Sequence, residues 1–227
     1  MGIFESLSSS QRQLIEEHLK LVIDANKQVN LTRIDSYDEG MLLHVEDSLA
    51  GLEELNKAPS GLFGDLGSGA GYPGIPLAIA SGHKTTLIDA RKKKMDTVNT
   101  IIGQLGLSDQ ISVYAGRAEL LARTQSKRYA ALTARALSRL SVLLELASPL
   151  LKSGGLLICY KAQLSDDELE DARSILSLVG MSFMSDRGFM LGEEYQRRIL
   201  TFKKVAEPRI KLPRQEGMAQ RNPLVKG

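Results

Sequence analysis

Residues 63–76 read FGDLGSGAGYPGIP, an acid, a set of glycines and two prolines between apolar runs. A β-prone run that ends in glycines and leads into a helix brings backbone N–H groups and the positive end of a helix dipole to a ligand, while the missing side chains permit close approach. Two motifs overlap here. Gly69-Ala70-Gly71-Tyr72-Pro73-Gly74 satisfies the G-x-G-x-x-G dinucleotide fingerprint, and Asp89 follows Gly69 by twenty positions, where a ribose-binding acid is expected. Pro73 and Pro76 argue against a dinucleotide, because they fall in the first turn of the following helix and remove N–H groups that a pyrophosphate would use. Asp65 argues the same way: a carboxylate just before the glycines repels a diphosphate but can pair with a cationic ligand group. A cofactor with an ammonium and no phosphates fits better. S-adenosylmethionine is such a molecule, with ribose hydroxyls for Asp89 and a methionine moiety for the glycine turn. The plain alternative is a tight strand-to-helix turn. It is weakened by Asp89 at the end of the next strand and by Gly154-Gly155 opening a later one, positions where doubly wound folds bind ligands.

Outward from this turn, short β-prone runs alternate with helix-length segments. The runs are LFGDL (62–66), KTTLID (84–89), ISVYA (111–115), YAALTAR (129–135) and GLLICYKA (155–162). Helices are expected over 73–81, 91–106, 118–125, 139–151 and 165–179, the last capped by Ser165 with acids in its first turn. Such alternation implies parallel strands with crossover helices. Two further runs, 181–187 and 198–204, have no long helix between them and suggest an antiparallel pair at the sheet edge. The first sixty residues differ in texture. Residues 9–28 and 38–55 both carry apolar residues at helical spacing, so they read as a helical section. The expected fold is therefore α/β: a Rossmann-like, doubly wound sheet of seven strands with the last antiparallel. The divisions are a helical N-terminal extension (1–60), a core (61–206) and a tail (207–227). That tail is expected to be extended and basic, with Arg209, Lys211, Arg214, Arg221 and Lys226 against Glu207 and Glu216.

Composition narrows the classes. A chain of 227 residues with 43% hydrophobic and 25% charged residues can bury a substantial core. The Met1–Phe4 start has no basic-then-apolar leader pattern and no run is apolar enough to cross a bilayer, so a cytoplasmic protein is expected. The single cysteine, Cys159, sits in an apolar run and reads as a buried strand thiol rather than a nucleophile. The net charge of +2 does not by itself announce a nucleic-acid partner. Three scattered histidines make no metal constellation. His44 and Asp47, spaced for one helix face, read as packing and capping residues. The cluster Arg91 to Lys94 reads as a solvated face, with contact to RNA phosphate as the alternative. Lys161 ends a strand at the edge where ligands bind and reads as a substrate-side residue.

At this point the sequence resembles the class I S-adenosylmethionine-dependent methyltransferases, and more closely the RsmG (GidB) family that methylates small-subunit ribosomal RNA. The resemblance covers most of the chain. It rests on VNLTRI (29–34), LLHVEDSL (42–49), GDLGSGAGYPGIPLAI (64–79), IDARKKK (88–94), GRAEL (116–120), TARAL (133–137), CYKA (159–162) and KLPRQEGMAQRNPL (211–224). It implies that Gly67 and Tyr72 line the cofactor site beside Gly69 and Asp65, that Ala118 and Glu119 meet the adenine end, and that Arg135 completes it. It implies that Arg197 and the tail residues Arg209, Lys211 and Arg214 face RNA, and Lys161 joins them by its position at a strand end. The implied reaction is methyl transfer to the 7-nitrogen of one guanine of 16S ribosomal RNA, conventionally position 527, on naked RNA or the small subunit, by a monomer. Two departures from the family pattern are Tyr72, where Phe or Leu is commoner, and Thr133-Ala134 before the arginine, where an adjacent hydroxyl is common. The alternatives are a methyltransferase for another RNA or a small molecule, a non-catalytic RNA-binding protein that keeps the pocket, and, further off, an NAD oxidoreductase.

Overall fold

The computed structural model describes residues 2–225; Lys226, counted above in the basic tail, lies outside the described residues. The chain begins with the turn α1 (Ile3–Ser6) and the long helix α2 (Ser9–Asn26). Ser8 starts α2 with a capping box, its hydroxyl accepting from the Gln11 amide while the Gln11 side chain takes the Ser8 N–H. Helical spacing puts Ile15, His18, Leu19 and Val22 on the buried face. The helical stretch expected over 38–55 is a series of short elements: α3 (Tyr37–Gly40), a π-helical turn (Met41–Glu46), α4 (Asp47–Leu49) and α5 (Leu52–Leu55). The wider π turn rotates the residues after it relative to a regular helix.

The sheet and its helices follow as β1 (Leu62–Leu66), α6 (Gly74–Ser81), β2 (Thr85–Asp89), α7 (Lys92–Gln104), β3 (Ile111–Ala115), α8 (Ala118–Thr124), β4 (Tyr129–Arg135), α9 (Leu140–Ala147), β5 (Leu151–Lys161), α10 (Asp166–Ile175), β6 (Met181–Leu191) and β7 (Tyr195–Lys204). Among the described residues one sheet has seven strands in the order β3-β2-β1-β4-β5-β7-β6. β1 to β5 run parallel, and β7 inserts antiparallel between β5 and the edge strand β6. The order reverses between β1 and β4, so the carboxyl ends of β1 and β4 flank a crevice where such sheets bind ligands.

Several boundaries differ from expectation, among them the end of α10, at Ile175 rather than 179. The helix expected to reach 151 stops at Ala147 because β5 starts at Leu151, four residues before the apolar run. Gly154-Gly155 sits inside that early part of β5, beside a register shift against β4, and so at the opposite end of the sheet from the crevice. A Cβ at Gly155 would come within 2.9 Å of the Lys152 carbonyl, so this glycine serves strand packing. The hairpin β6–β7 is longer than its apolar runs, since its outer face is polar.

The tail is folded. Its last helical turn, α11 (Met218–Arg221), packs on α9 through buried Ala219. Arg214 forms a two-pronged pair with the buried Glu145 of α9 at 2.7 and 2.6 Å. One face of the sheet packs on α8, α9 and α10. The other side buries Ile15, Leu19 and Val22 of α2 with Ile75 of α6, Leu87 of β2 and Val98 of α7 in one cluster. Each fully buried aliphatic side chain there contributes roughly 1.5–3 kcal/mol, which seats the N-terminal helices beside the crevice.

Candidate functional site

The glycine turn leaves β1 in a left-handed bend, with Gly67 at φ 72° and Gly69 at φ 54°. The Gly67 N–H donates to the Ile88 carbonyl at 2.7 Å, and the Gly69 N–H donates to Oδ2 of Asp89 at 3.1 Å. A Cβ at Gly67 would meet Cδ1 of Leu137 at 2.6 Å. Gly74, the last fingerprint glycine, has a different job. Its Cβ would strike Leu87 at 2.4 Å and Asp65 at 2.8 Å, so it lets α6 lie close on the sheet.

A cavity of about 220 Å³ opens at the carboxyl ends of β1 to β3, lined by Gly67, Asp89, Ala118, Glu119 and Leu137, with Arg91, Arg117 and Gln220 beside apolar groups. Asp89 presents a buried carboxylate to it. Burial alone would push its pKa up, but Arg91, bonding through its guanidinium and its N–H, and the Gly69 N–H outweigh that and hold the group below the usual carboxylate range. The exposed Arg91 guanidinium covers both Asp89 oxygens at 3.0 and 2.9 Å. Glu119 is buried at the cavity wall and its Oε1 accepts the Gly217 N–H at 2.7 Å, joining α8 to the tail.

Asp65, expected to meet a ligand cation, is wholly buried and engaged within the protein. Its Oδ2 accepts the Gly74 N–H at 3.0 Å at the start of α6, and its Oδ1 accepts from the Thr133 hydroxyl at 2.7 Å. Burial pushes its carboxyl up to about 6 against the opposing pull of Thr133 and Gly74. A protein carboxylate therefore already occupies the positive end of this helix, which disfavours a phosphate there more directly than the prolines do. Tyr72, expected in the cofactor lining, is also buried and is not among the residues that line the first cavity. Its ring is 4% exposed, stacked on His44 (centroids 4.4 Å, planes 9° apart) and tilted against His18 at 4.6 Å.

Arg135 belongs to a second cavity, of about 460 Å³, lined by Ile34, Leu43, His44, Asp47, Tyr160, Lys161 and Arg197 among others. One guanidinium nitrogen donates to Oδ2 of Asp47 at 2.7 Å and to the Leu43 carbonyl at 3.0 Å, and the other lies 3.3 Å from Nδ1 of His44. Arginine has no acceptor, so Nδ1 accepts and the His44 Nε2–H donates to the Thr32 hydroxyl at 2.9 Å. Burial, then the Arg135 charge, lowers His44 to about 3, and burial lowers His18 to about 4. The two cavities share a short wall: Arg135 and Ala136 line the second, Leu137 the first. Ala136 holds φ 53°, the left-handed bend that turns neighbouring residues to opposite sides.

The residues expected to grip RNA divide into two groups. Lys161 donates to Glu168 at 2.6 Å and to the Ser138 carbonyl at 2.8 Å, so it anchors the wall after β4. Arg214 is committed to Glu145, and Arg197 packs over Tyr195 with its Nε 3.4 Å from Oδ1 of Asp47. Arg209 and Lys211 are exposed with no carboxylate paired to them among the described residues. In the 91–94 cluster Arg91 is held by Asp89 and Lys94 donates to the Leu31 carbonyl, leaving Lys92 and Lys93 exposed. Cys159 is fully buried and its thiol is pushed up to about 12 by burial. His44 and Asp47 were readable as one helix face, but nothing local tied that face to Arg135.

The family model for GidB, rRNA small subunit methyltransferase G, matches residues 11–189. The chain belongs to the GidB family. Its relatives include the ribosomal RNA small subunit methyltransferase G of Streptococcus pyogenes serotype M49, 35% identical over 96% of this chain and 94% of the relative. The protein of the same name from Lactobacillus acidophilus is 34% identical over 96% and 93%. Among solved structures, a geranyl diphosphate methyltransferase in complex with SAM superposes with TM-score 0.54 at 14% identity, covering 70% of this chain and 86% of that one. The precorrin-6y C5,15-methyltransferase of Geobacter metallireducens gives TM-score 0.51 at 14% identity, over 69% and 87%. At such identity these structures speak for the methyltransferase fold alone, and the GidB relatives carry the family.

Proposed function

We propose that this GidB-family chain transfers a methyl group from S-adenosylmethionine to the 7-nitrogen of a guanine in small-subunit ribosomal RNA, working as a cytoplasmic monomer. The observation that carries the reading is a family match over residues 11–189, extended by relatives over 96% of the chain and laid over two cavities that meet at one wall, residues 135–137. The first cavity fits the cofactor. Gly67 makes a cradle that a Cβ would fill, Asp89 offers a buried carboxylate to a ribose diol in exchange for Arg91, and Leu66, Ile88, Leu137 and Leu146 give an apolar bed for adenine. When bound, the cofactor supplies an electrophilic sulfonium methyl.

The protein's task is then positioning. A guanine 7-nitrogen carries an in-plane lone pair and no proton, so no side chain has to remove one before attack. The second cavity agrees with that chemistry: its imidazole, His44, is neutral and has both nitrogens in hydrogen bonds. Most of the acceleration comes from alignment of nucleophile, methyl and leaving sulfur. Next to the second cavity a further hollow of about 690 Å³, lined by Phe189, Met190, Arg197 and Arg198, offers stacking and charge to flanking nucleotides, and Arg209 and Lys211 add phosphate contacts. No helix among the described residues is long and apolar enough to cross a membrane.

The test is methyl transfer to undermethylated ribosomal RNA, naked and in small subunits, mapped by base-specific cleavage at 7-methylguanine. One modified guanine is the expected result. No product on either substrate overturns the proposal.

A further inference from the structure

We infer that the cavity at Asp47 receives the acceptor guanine and that the Asp47 carboxylate reads its Watson–Crick edge. The inference rests on the reading of the chain as a guanine methyltransferase and adds to it the group that chooses the base. Asp47 is 5% exposed, and its Oδ2 holds Arg135. Its Oδ1 is buried with no hydrogen-bond partner; Arg197 approaches at 3.4 Å without the alignment of a bond. A buried carboxylate oxygen left without a donor is costly, and a ligand that brings a donor recovers that cost on binding.

The acceptor capacity defines the ligand. A carboxylate has about four acceptor positions; Arg135 takes one on Oδ2, so Oδ1 and the remaining position on Oδ2 await neighbouring N–H groups. Of the four RNA bases only guanine presents two adjacent donors on that edge, N1–H and the 2-amino group. Adenine and cytosine set a ring acceptor beside the amino group, and uracil flanks one N–H with two carbonyls. The walls suit a flat purine drawn out of a helix, since Ile34, Leu43 and Ala136 are apolar and Tyr160 is fixed by its bond to the Ser48 carbonyl at 2.7 Å. Reading this edge leaves the 7-nitrogen, on the far side of the purine, free for the methyl. It also releases Arg197 from its loose contact toward RNA phosphate in the adjoining hollow.

The experiment compares RNA carrying guanine with RNA carrying inosine at the target, inosine lacking only the 2-amino group. For the wild-type protein kcat/KM falls about 10-fold with inosine, and the RNA affinity of the adenosylhomocysteine complex falls by a similar factor. In Asp47→Asn, Arg135 keeps the amide oxygen on its own side, so an NH₂ group faces the purine donors. Transfer to guanine then drops about 100-fold, the guanine-to-inosine ratio collapses toward one, and adenosylhomocysteine affinity is unchanged. Equal treatment of guanine and inosine by the wild-type protein overturns the inference, even if Asp47→Asn does not fold. So does an Asp47→Asn protein that keeps the wild-type ratio. Absence of any transfer to guanine by the wild-type protein sinks the underlying function as well, which separates the two failures.

Discussion

Acidification from pH 7 to pH 5 is expected to weaken the fold through His18 and His44. Both are buried and neutral, lowered to about 4 and about 3, whereas an unfolded histidine titrates near 6.5. The unfolded chain therefore binds more protons in this window, and the stability these groups contribute is present above about pH 6.5 and lost as the pH falls. Each imidazole accounts for a loss of about 2 kcal/mol between pH 7 and pH 5. Asp65 acts with the opposite sign. Its folded value, about 6, lies above the ordinary 3.8, so its cost grows as the pH rises through that interval, and acidification returns about 1 kcal/mol. The histidines win, and the net loss is about 2 to 3 kcal/mol, or about 5 to 10 °C in Tm for a chain of this size. Protonating His44 also ends its acceptance from Arg135 and sets two cations side by side, so the second cavity loosens first. Thermal and urea melts at the two pH values provide the assay, with His44→Phe as the control. That variant keeps a ring against Tyr72 but has nothing to titrate, so its stability at pH 7 drops while its loss on acidification, one histidine set against the return from Asp65, is about a third of the wild-type loss or less. A wild-type protein more stable at pH 5 than at pH 7, or equal losses in the two proteins, refutes the reasoning.

The other perturbations separate fold from binding. Gly67→Val imposes a branched side chain at φ 72° and 2.6 Å from Leu137, so calorimetry should show adenosylhomocysteine affinity falling at least about 10-fold while the melt shifts by about 1–2 kcal/mol; unchanged affinity would free the turn from the cofactor. Arg214→Ala leaves Glu145, 3% exposed, without its partner and should cost about 3 kcal/mol in urea unfolding and speed proteolysis of the tail. Lys211→Ala, at an exposed site, should leave the melt unchanged, weaken RNA binding and reduce the salt dependence by about one counterion; an unaltered slope would remove the tail from the RNA interface.

The parallel strands were legible because a sheet covered on both faces needs continuous apolar runs, and YAALTAR or LLICY can hardly be read otherwise. The segment 38–55 was legible as helical, but apolar spacing carries no mark of the π turn within it, which is followed directly by Asp47. The tail was misread as extended because its charges look solvated in sequence, while Glu145 and Glu119, the acids that receive Arg214 and Gly217, lie far away in the chain. The first cavity was partly visible, since Gly67, Asp89, Ala118 and Glu119 sit at strand ends or just past them and topology brings such positions together. Asp65 and Tyr72 flank the same turn, yet both are buried by it, a distinction that spacing does not carry. The second cavity draws on residues near 34, 44, 135, 160 and 197, and no local pattern joins them.

The placement of charge follows from what the chemistry needs. A transfer without a general base depends on holding the wall between two cavities still, and the groups that look free in sequence are spent on that wall. Arg135 is clamped by Asp47, His44 and the Leu43 carbonyl. Lys161 binds the Ser138 carbonyl and Glu168, and Glu168 also receives the Leu140 N–H at the start of α9. Segment 135–140 is thus tied to the N-terminal helices on one side and to α10 on the other. Two ion pairs with partly or wholly buried partners add little net stability, since desolvation offsets much of their attraction. What they fix is geometry, and geometry is where an alignment mechanism finds its rate. On the proposed function the N-terminal helices would act as part of the reaction centre: they carry Asp47 and His44, and without them Arg135 would have no counter-charge and the second cavity no floor.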